Sequence, residues 1–211
     1  MFEIEYKGAN ALIISTKKAK IVVDPKISIV GQKDLSSKGA VELVTEHRFA
    51  VNGVESLLII DGPGEYGVAE FDILGISAGR HIDSDSEEQR STMYRIEIDN
   101  TRIGIIGNIS EKLSDEQLEK LGVLDILVIP VGGNGYTLDA TAAASLVRMI
   151  SPKIVIPVHY ADKNLKYEVP QCELSLFVTE LGAPVEVISK YKSKQILSNQ
   201  VPLSVIEITR S

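Results

Sequence analysis

Short apolar runs, each closed by a turn signal, set the tightest limit on what this chain can fold into. Residues 2–6, 11–15, 20–23, 41–45 and 57–60 read as strands, separated by Gly8, Asp24-Pro25, Gly39 and Asp61-Gly62-Pro63-Gly64. Runs this short cannot each bury themselves, so the first half must assemble as sheet. The stretch 79–92 is polar and poor in packing residues, which marks a surface loop or a flap between two strands.

The rhythm then changes. Residues 94–98 and 102–106 form a hairpin around Asp99-Asn100, and Ser114 with Gln117 three positions later writes a capping box for a helix that stops near Gly122. A strand at 124–129, an Ala-rich helix at 138–150, a strand at 154–158 and a helix near 173–181 follow, with strands at 185–188 and 203–208 closing the chain. A β-rich half and an alternating half with amphipathic helices imply an α/β (α+β) architecture: two packed sheets with helices outside. No repeat, low-complexity tract or linker divides residues 1–211, so the expectation is a single domain.

Charge narrows the partners. With 29 acidic against 22 basic residues the chain carries −7, which opposes attraction to nucleic acid or an anionic membrane surface. The start Met-Phe-Glu-Ile-Glu-Tyr-Lys-Gly alternates like a strand rather than a signal peptide, and even the apolar stretch 123–131 is broken by Asp125 and Pro130. Cys172 is the one cysteine, in a run that reads as helix, so a disulfide framework and a cysteine-based zinc cluster are both excluded. A cytoplasmic protein is the expectation.

Four segments carry a resemblance. Ile21-Val-Val-Asp24-Pro25, Asp61-Gly-Pro-Gly-Glu-Tyr66, Asp125-Ile-Leu-Val-Ile-Pro-Val-Gly-Gly133 and Pro152-Lys-Ile-Val-Ile-Pro-Val-His-Tyr160, taken in order, resemble the metallo-β-lactamase superfamily of zinc-dependent hydrolases, in the branch that includes the ascorbate-phosphate lactonase type. The resemblance implies a four-layer αββα sandwich with metals held by loops at one edge of the sheets. It also implies a His-x-His-x-Asp-His motif after an early strand, with a further His, an Asp and a late His from distant loops. Imidazole and carboxylate bind zinc while leaving a place for water, whose pKa the metal lowers.

Aligned on that motif, this chain reads Glu46-His47-Arg48-Phe49-Ala50-Val51. Glu46 and Arg48 stand where the first two histidines belong, Ala50 where the aspartate belongs and Val51 where the last histidine belongs; alanine and valine cannot bind metal. His47 is at a spacer position, which favours the surface. Arg80, with His81 beside it, matches the next histidine, and Asn108 after Gly107 replaces the bridging aspartate. His159 alone keeps a family ligand. A pocket that gains arginine and loses carboxylates repels a divalent cation, so the sequence predicts that Arg48 takes the place and charge of the metal, paired with Glu46 and hydrogen-bonded near Asn108 and His159. The competing expectation is an exposed Glu46–Arg48 pair of little consequence.

Other features have structural readings. Asp24, Glu65 and Tyr66 belong to turns and strand ends, although Asp24 is a candidate for the pocket border. Gly132 to Gly135 lacks the Lys-Ser/Thr of a phosphate loop, Ser15 and Ser151 lack a nucleophile pattern, and the acidic run 83–88 lacks calcium-loop spacing. The leading expectation is a pseudo-enzyme without cofactor that binds a small anionic ligand or a protein partner, with Arg48, Arg80 and His159 as the positive face and Glu46, His81 and Asn108 completing the vestigial pocket. The alternatives are a hydrolase keeping one zinc through His159, His81 and Glu46 or His47, and a structural or assembly role as an oligomer.

Overall fold

The computed structural model describes residues 1–80, 90–193 and 202–211. Fourteen strands and three α-helices are present among them: β1 Glu3–Gly8, β2 Ala11–Ser15, β3 Lys20–Val23, β4 Val41–Leu43, β5 Leu58–Ile60, β6 Gly64–Val68, β7 Phe71–Gly79, β8 Arg90–Ile98, β9 Thr101–Ile105, α1 Asp115–Leu121, β10 Ile126–Pro130, α2 Ala140–Ile150, β11 Ile154–Val158, α3 Leu174–Leu181, β12 Val185–Ile188, β13 Tyr191–Lys192 and β14 Ser204–Ile208. They form a six-stranded sheet in the order β13-β1-β2-β3-β4-β5 and an eight-stranded sheet in the order β12-β14-β11-β10-β9-β8-β7-β6.

The strand pattern explains the layering. Alternate residues of β1 and β2, such as Ile4, Tyr6, Leu12 and Ile14, meet Phe71, Ile73, Tyr94, Ile96, Ile126, Val128, Ile154 and Ile156 of the second sheet in one apolar core. The other side of β10, β11 and β14 packs under the helices through Leu127, Ile129, Val155 and Val205 against Leu146, Val147 and Phe177. On the far side of the first sheet, a 3-10 turn at Ile27–Val30 packs with Ala11 and Leu165. The αββα sandwich is therefore present, with its first outer layer reduced to a turn and coil over Ala11. Tyr94 ties the sheets together by donating from its buried hydroxyl to the Val44 carbonyl at 2.8 Å.

Most of the anticipated elements form within a residue or two. Ser114 and Gln117 make the reciprocal capping box, and Asp99 and Asn100 both take positive φ in the turn between β8 and β9. Three readings need correction. The hairpin of β6 and β7 was not anticipated, because Gly64-Glu-Tyr-Gly-Val looks like turn chemistry. Ser91 and Thr92 are buried members of β8 rather than loop, held by hydrogen bonds from Ser91 Oγ and Thr92 N to the Thr45 carbonyl. Cys172 lies in extended chain before α3, where its amide donates to the Gly132 carbonyl at 2.7 Å. Residues 81–89 of the expected flap, including the acidic run 83–88, lie outside the described residues. No helix among the described residues is long and apolar enough to cross a membrane.

Candidate functional site

The site begins at the end of β4. Asp24, with φ of 45°, accepts from the Thr45 amide at 2.7 Å and the Thr45 hydroxyl at 2.6 Å. That clasp fixes the strand end just before Glu46, whose carboxylate turns inward while the short 3-10 turn His47–Phe49 carries Arg48 back beside it. Asp24 is buried, and burial pushes its carboxyl up to about 7 in spite of the two hydrogen bonds. It braces the site from behind rather than lining it.

Glu46 is 4% exposed and is saturated by donors. Arg80 Nη1 donates to Oε2 at 2.9 Å, Asn108 Nδ2 donates to Oε1 at 2.9 Å, and Arg48 Nη2 donates to Oε1 at 3.3 Å. Arg48 Nε also stands 2.9 Å from Oε2, a charge contact whose alignment leaves this N–H without a hydrogen-bond acceptor. Asn10 Nδ2 donates to Asn108 Oδ1 at 3.0 Å, which orients the Asn108 amide with its NH2 toward Glu46. Gly107, at φ 67°, lets the backbone pass close to Thr45 and delivers Asn108; a Cβ there would lie 2.9 Å from Thr45 Cβ.

Four of the anticipated residues, Glu46, Arg48, Arg80 and Asn108, thus meet in one network, and His159 lies close to it. The link from Arg48 to His159 differs from expectation. It runs through an aromatic ring: the Arg48 guanidinium lies 4.6 Å from the centre of Phe49 and 4.9 Å from that of Tyr136, and Tyr136 stacks on His159 at 5.6 Å. Tyr167 covers His159 at 5.0 Å, and Gln171 Oε1 lies 3.2 Å from its Nδ1. Burial, with Arg48 nearby, lowers the His159 pKa to about 4 against the opposing pull of Gln171, so the imidazole is neutral at physiological pH. It adds no charge to the positive face expected of it.

His47 is on the surface, its side chain 80% exposed and 3.6 Å from Asp61. His81 lies outside the described residues. Asn10, Tyr136, Tyr167 and Gln171 were not anticipated. Of these only Tyr136 carried a sequence signal, as the first residue after the glycine-rich turn.

A divalent cation does not fit the residues that meet here. The Glu46 oxygens already accept from three donors, two of them guanidinium groups, and Asn108 Oδ1 already accepts from Asn10. Among the described residues no group of three or more His, Cys, Asp and Glu side chains is arranged to hold a metal ion.

Two sheets face to face, helices outside, and a site at the end of β4 beside the loops after β9 and β11 define a protein of the metallo-β-lactamase fold. Residues 3–159 match the family described as the beta-lactamase superfamily domain, and the chain belongs to that family. A metallo-β-lactamase superfamily protein from Thermotoga maritima superposes with a TM-score of 0.79 at 21% identity, covering 99% of this chain and 100% of that one. Igni18, a metallo hydrolase from Ignicoccus hospitalis, superposes at 0.66 with 17% identity, covering 86% of this chain and 90% of that one. A UPF0173 metal-dependent hydrolase of Thermococcus onnurineus is 29% identical over 123 residues, 53% of this chain and 54% of that protein. Another from Pyrococcus furiosus is 30% identical over 112 residues, 51% and 48% respectively. The chain spans about half the length of these curated relatives.

Proposed function

We propose that this chain is a non-catalytic member of its family, in which a guanidinium–carboxylate cluster stands where relatives place metal and the adjoining pocket binds a small anion. The observation that carries the reading is Glu46. Aligned with a family histidine, it is held by Arg48, Arg80 and Asn108, leaving its oxygens committed to cationic and amide donors. A buried carboxylate needs such partners, and a planar guanidinium supplies charge and directed N–H groups together. Arg48 then faces two ways: it holds Glu46 and it lines a cavity of about 100 Å3 with Tyr136, His159 and Tyr167.

The test is calorimetric titration with inorganic phosphate and small carboxylates. Binding that weakens at least about tenfold in Arg48→Ala is the expected result, since a charge-assisted pair would be lost. Glu46 keeps Arg80 and Asn108 in that variant, so folding should survive. No binding, or binding unchanged in Arg48→Ala, would remove the anion reading.

A second reading has its own support. Relatives are named metal-dependent hydrolases, and the His159 Nε2 has no hydrogen-bond partner among the described residues. A hydrolase keeping one zinc on His159, with His81 as a second ligand, would follow; its residues would have to capture the ion without Glu46. Metal content separates the two readings.

A further inference from the structure

We propose that the pocket between Arg48 and His159 selects small oxyanions that also carry a hydroxyl, the 2-hydroxycarboxylates being the simplest class. This rests on the anion reading above and deepens it by adding a requirement that charge alone does not impose.

The requirement comes from the direction of the His159 hydrogen bond. Gln171 Nε2 donates to the Val169 carbonyl at 2.6 Å, which fixes the amide so that its oxygen faces His159. An amide oxygen only accepts, so the contact at 3.2 Å places the imidazole proton on Nδ1. The other nitrogen, Nε2, is then left with a lone pair and no protein donor among the described residues, on a ring that lines the cavity. Tyr136 and Tyr167 both pack against the ring.

The tautomer is built into the backbone as well. A Cβ on Gly132 would collide with both the His159 carbonyl and Gln171 Oε1, so only glycine lets the Gln171 amide reach the imidazole. The glycine-rich turn after β10, which makes no phosphate loop, thereby acquires a use.

Arg48 supplies the opposite polarity. Its Nε–H is buried against Glu46, but the side chain as a whole is one-third exposed and lines the cavity, with the guanidinium over the Phe49 and Tyr136 rings. The cavity therefore offers a cationic donor and a neutral acceptor. Acetate or sulfate presents acceptors to both, leaving the Nε2 lone pair facing negative charge. A hydroxyl-bearing oxyanion pairs its carboxylate with Arg48 and donates its O–H to Nε2. At about 100 Å3 the space suits roughly five heavy atoms. Glu168 also lines the cavity, but it is exposed, so solvent screens its charge.

The test compares glycolate with acetate, equal in charge and differing by one hydroxyl, by calorimetric titration of the full chain. Glycolate should bind about tenfold more tightly, the effect of one added hydrogen bond. His159→Phe keeps a ring against both tyrosines and should erase the difference. Nitrogen NMR of the wild-type imidazole provides a readout that needs no variant: a protonated Nδ1 and a bare Nε2, whose resonance moves upfield with glycolate and stays put with acetate. Equal affinities for the two anions, or a protonated Nε2 in the free protein, would overturn this inference while sparing the anion reading. Failure of both anions to bind would overturn the two together.

Discussion

Asp24 shows how one buried residue can serve the site at a cost to stability. Its carboxyl is pushed from the ordinary value of 3.8 up to about 7 by burial, with Thr45 donating two hydrogen bonds in opposition. A carboxyl whose folded pKa is raised contributes stability that is complete below the unfolded value and is lost as pH rises through the folded one. Chemical denaturation should therefore show a component that declines between about pH 4 and pH 7, amounting to roughly 4 kcal/mol. In Asp24→Asn the decline over that window should be absent; an identical slope in variant and wild type would contradict it. Sequence reasoning placed Asp24 at a strand end, which is correct, but burial is a property of the folded core and left no mark in the local sequence. The same limit hid Gln171 and Asn10, whose importance lies in which partner each amide faces.

At the scale of elements, the segment that follows the Glu46 turn is organised by β4 itself. Glu42 is fully buried, and its carboxylate accepts from the amides of Val51, Asn52 and Gly53 at 2.8, 2.9 and 3.1 Å and from the Ser37 hydroxyl at 2.8 Å. Burial pushes the Glu42 carboxyl up, yet donors from Gly53, Ser37, Asn52 and Val51 outweigh it and the pKa is lowered. Its contribution is thus present above the ordinary glutamate range and is lost in acid, below the window assigned to Asp24. Glu42→Gln replaces one acceptor oxygen with an NH2 aimed at N–H donors, and should cost roughly 2–3 kcal/mol in urea denaturation at pH 7. A loss below about 0.5 kcal/mol would mean that the 51–53 segment holds itself. In the sequence, Glu42 interrupts an apolar strand and could have signalled this role. The strands and helices with clean periodicity or caps were legible: 11–15, 20–23, 154–158 and the Ser114–Gln117 capping box all form as read. The β6–β7 hairpin was not, since glycine-rich strands at a sheet edge look like turns until a neighbour pairs with them.

For the whole molecule, the sandwich and the site belong to different layers of information. The inter-sheet core uses many apolar positions in strict alternation, so the architecture is written redundantly and its segments are recognisable in order. The site depends on a few side chains from distant elements: Glu46 and Arg48 after β4, Arg80 after β7, Asn108 after β9 and His159 after β11. Substitution by alignment predicted the Glu46–Arg48 pair, yet not that Arg80 shares the same carboxylate or that His159 is reached through Tyr136. The central claim is that these cations and amides occupy the coordination that metal takes in relatives. Elemental analysis of protein purified without chelator, and again after exposure to equimolar zinc followed by desalting, tests it most directly. The account predicts well under one metal ion per chain in both samples; zinc, iron or manganese retained at one per chain would contradict it.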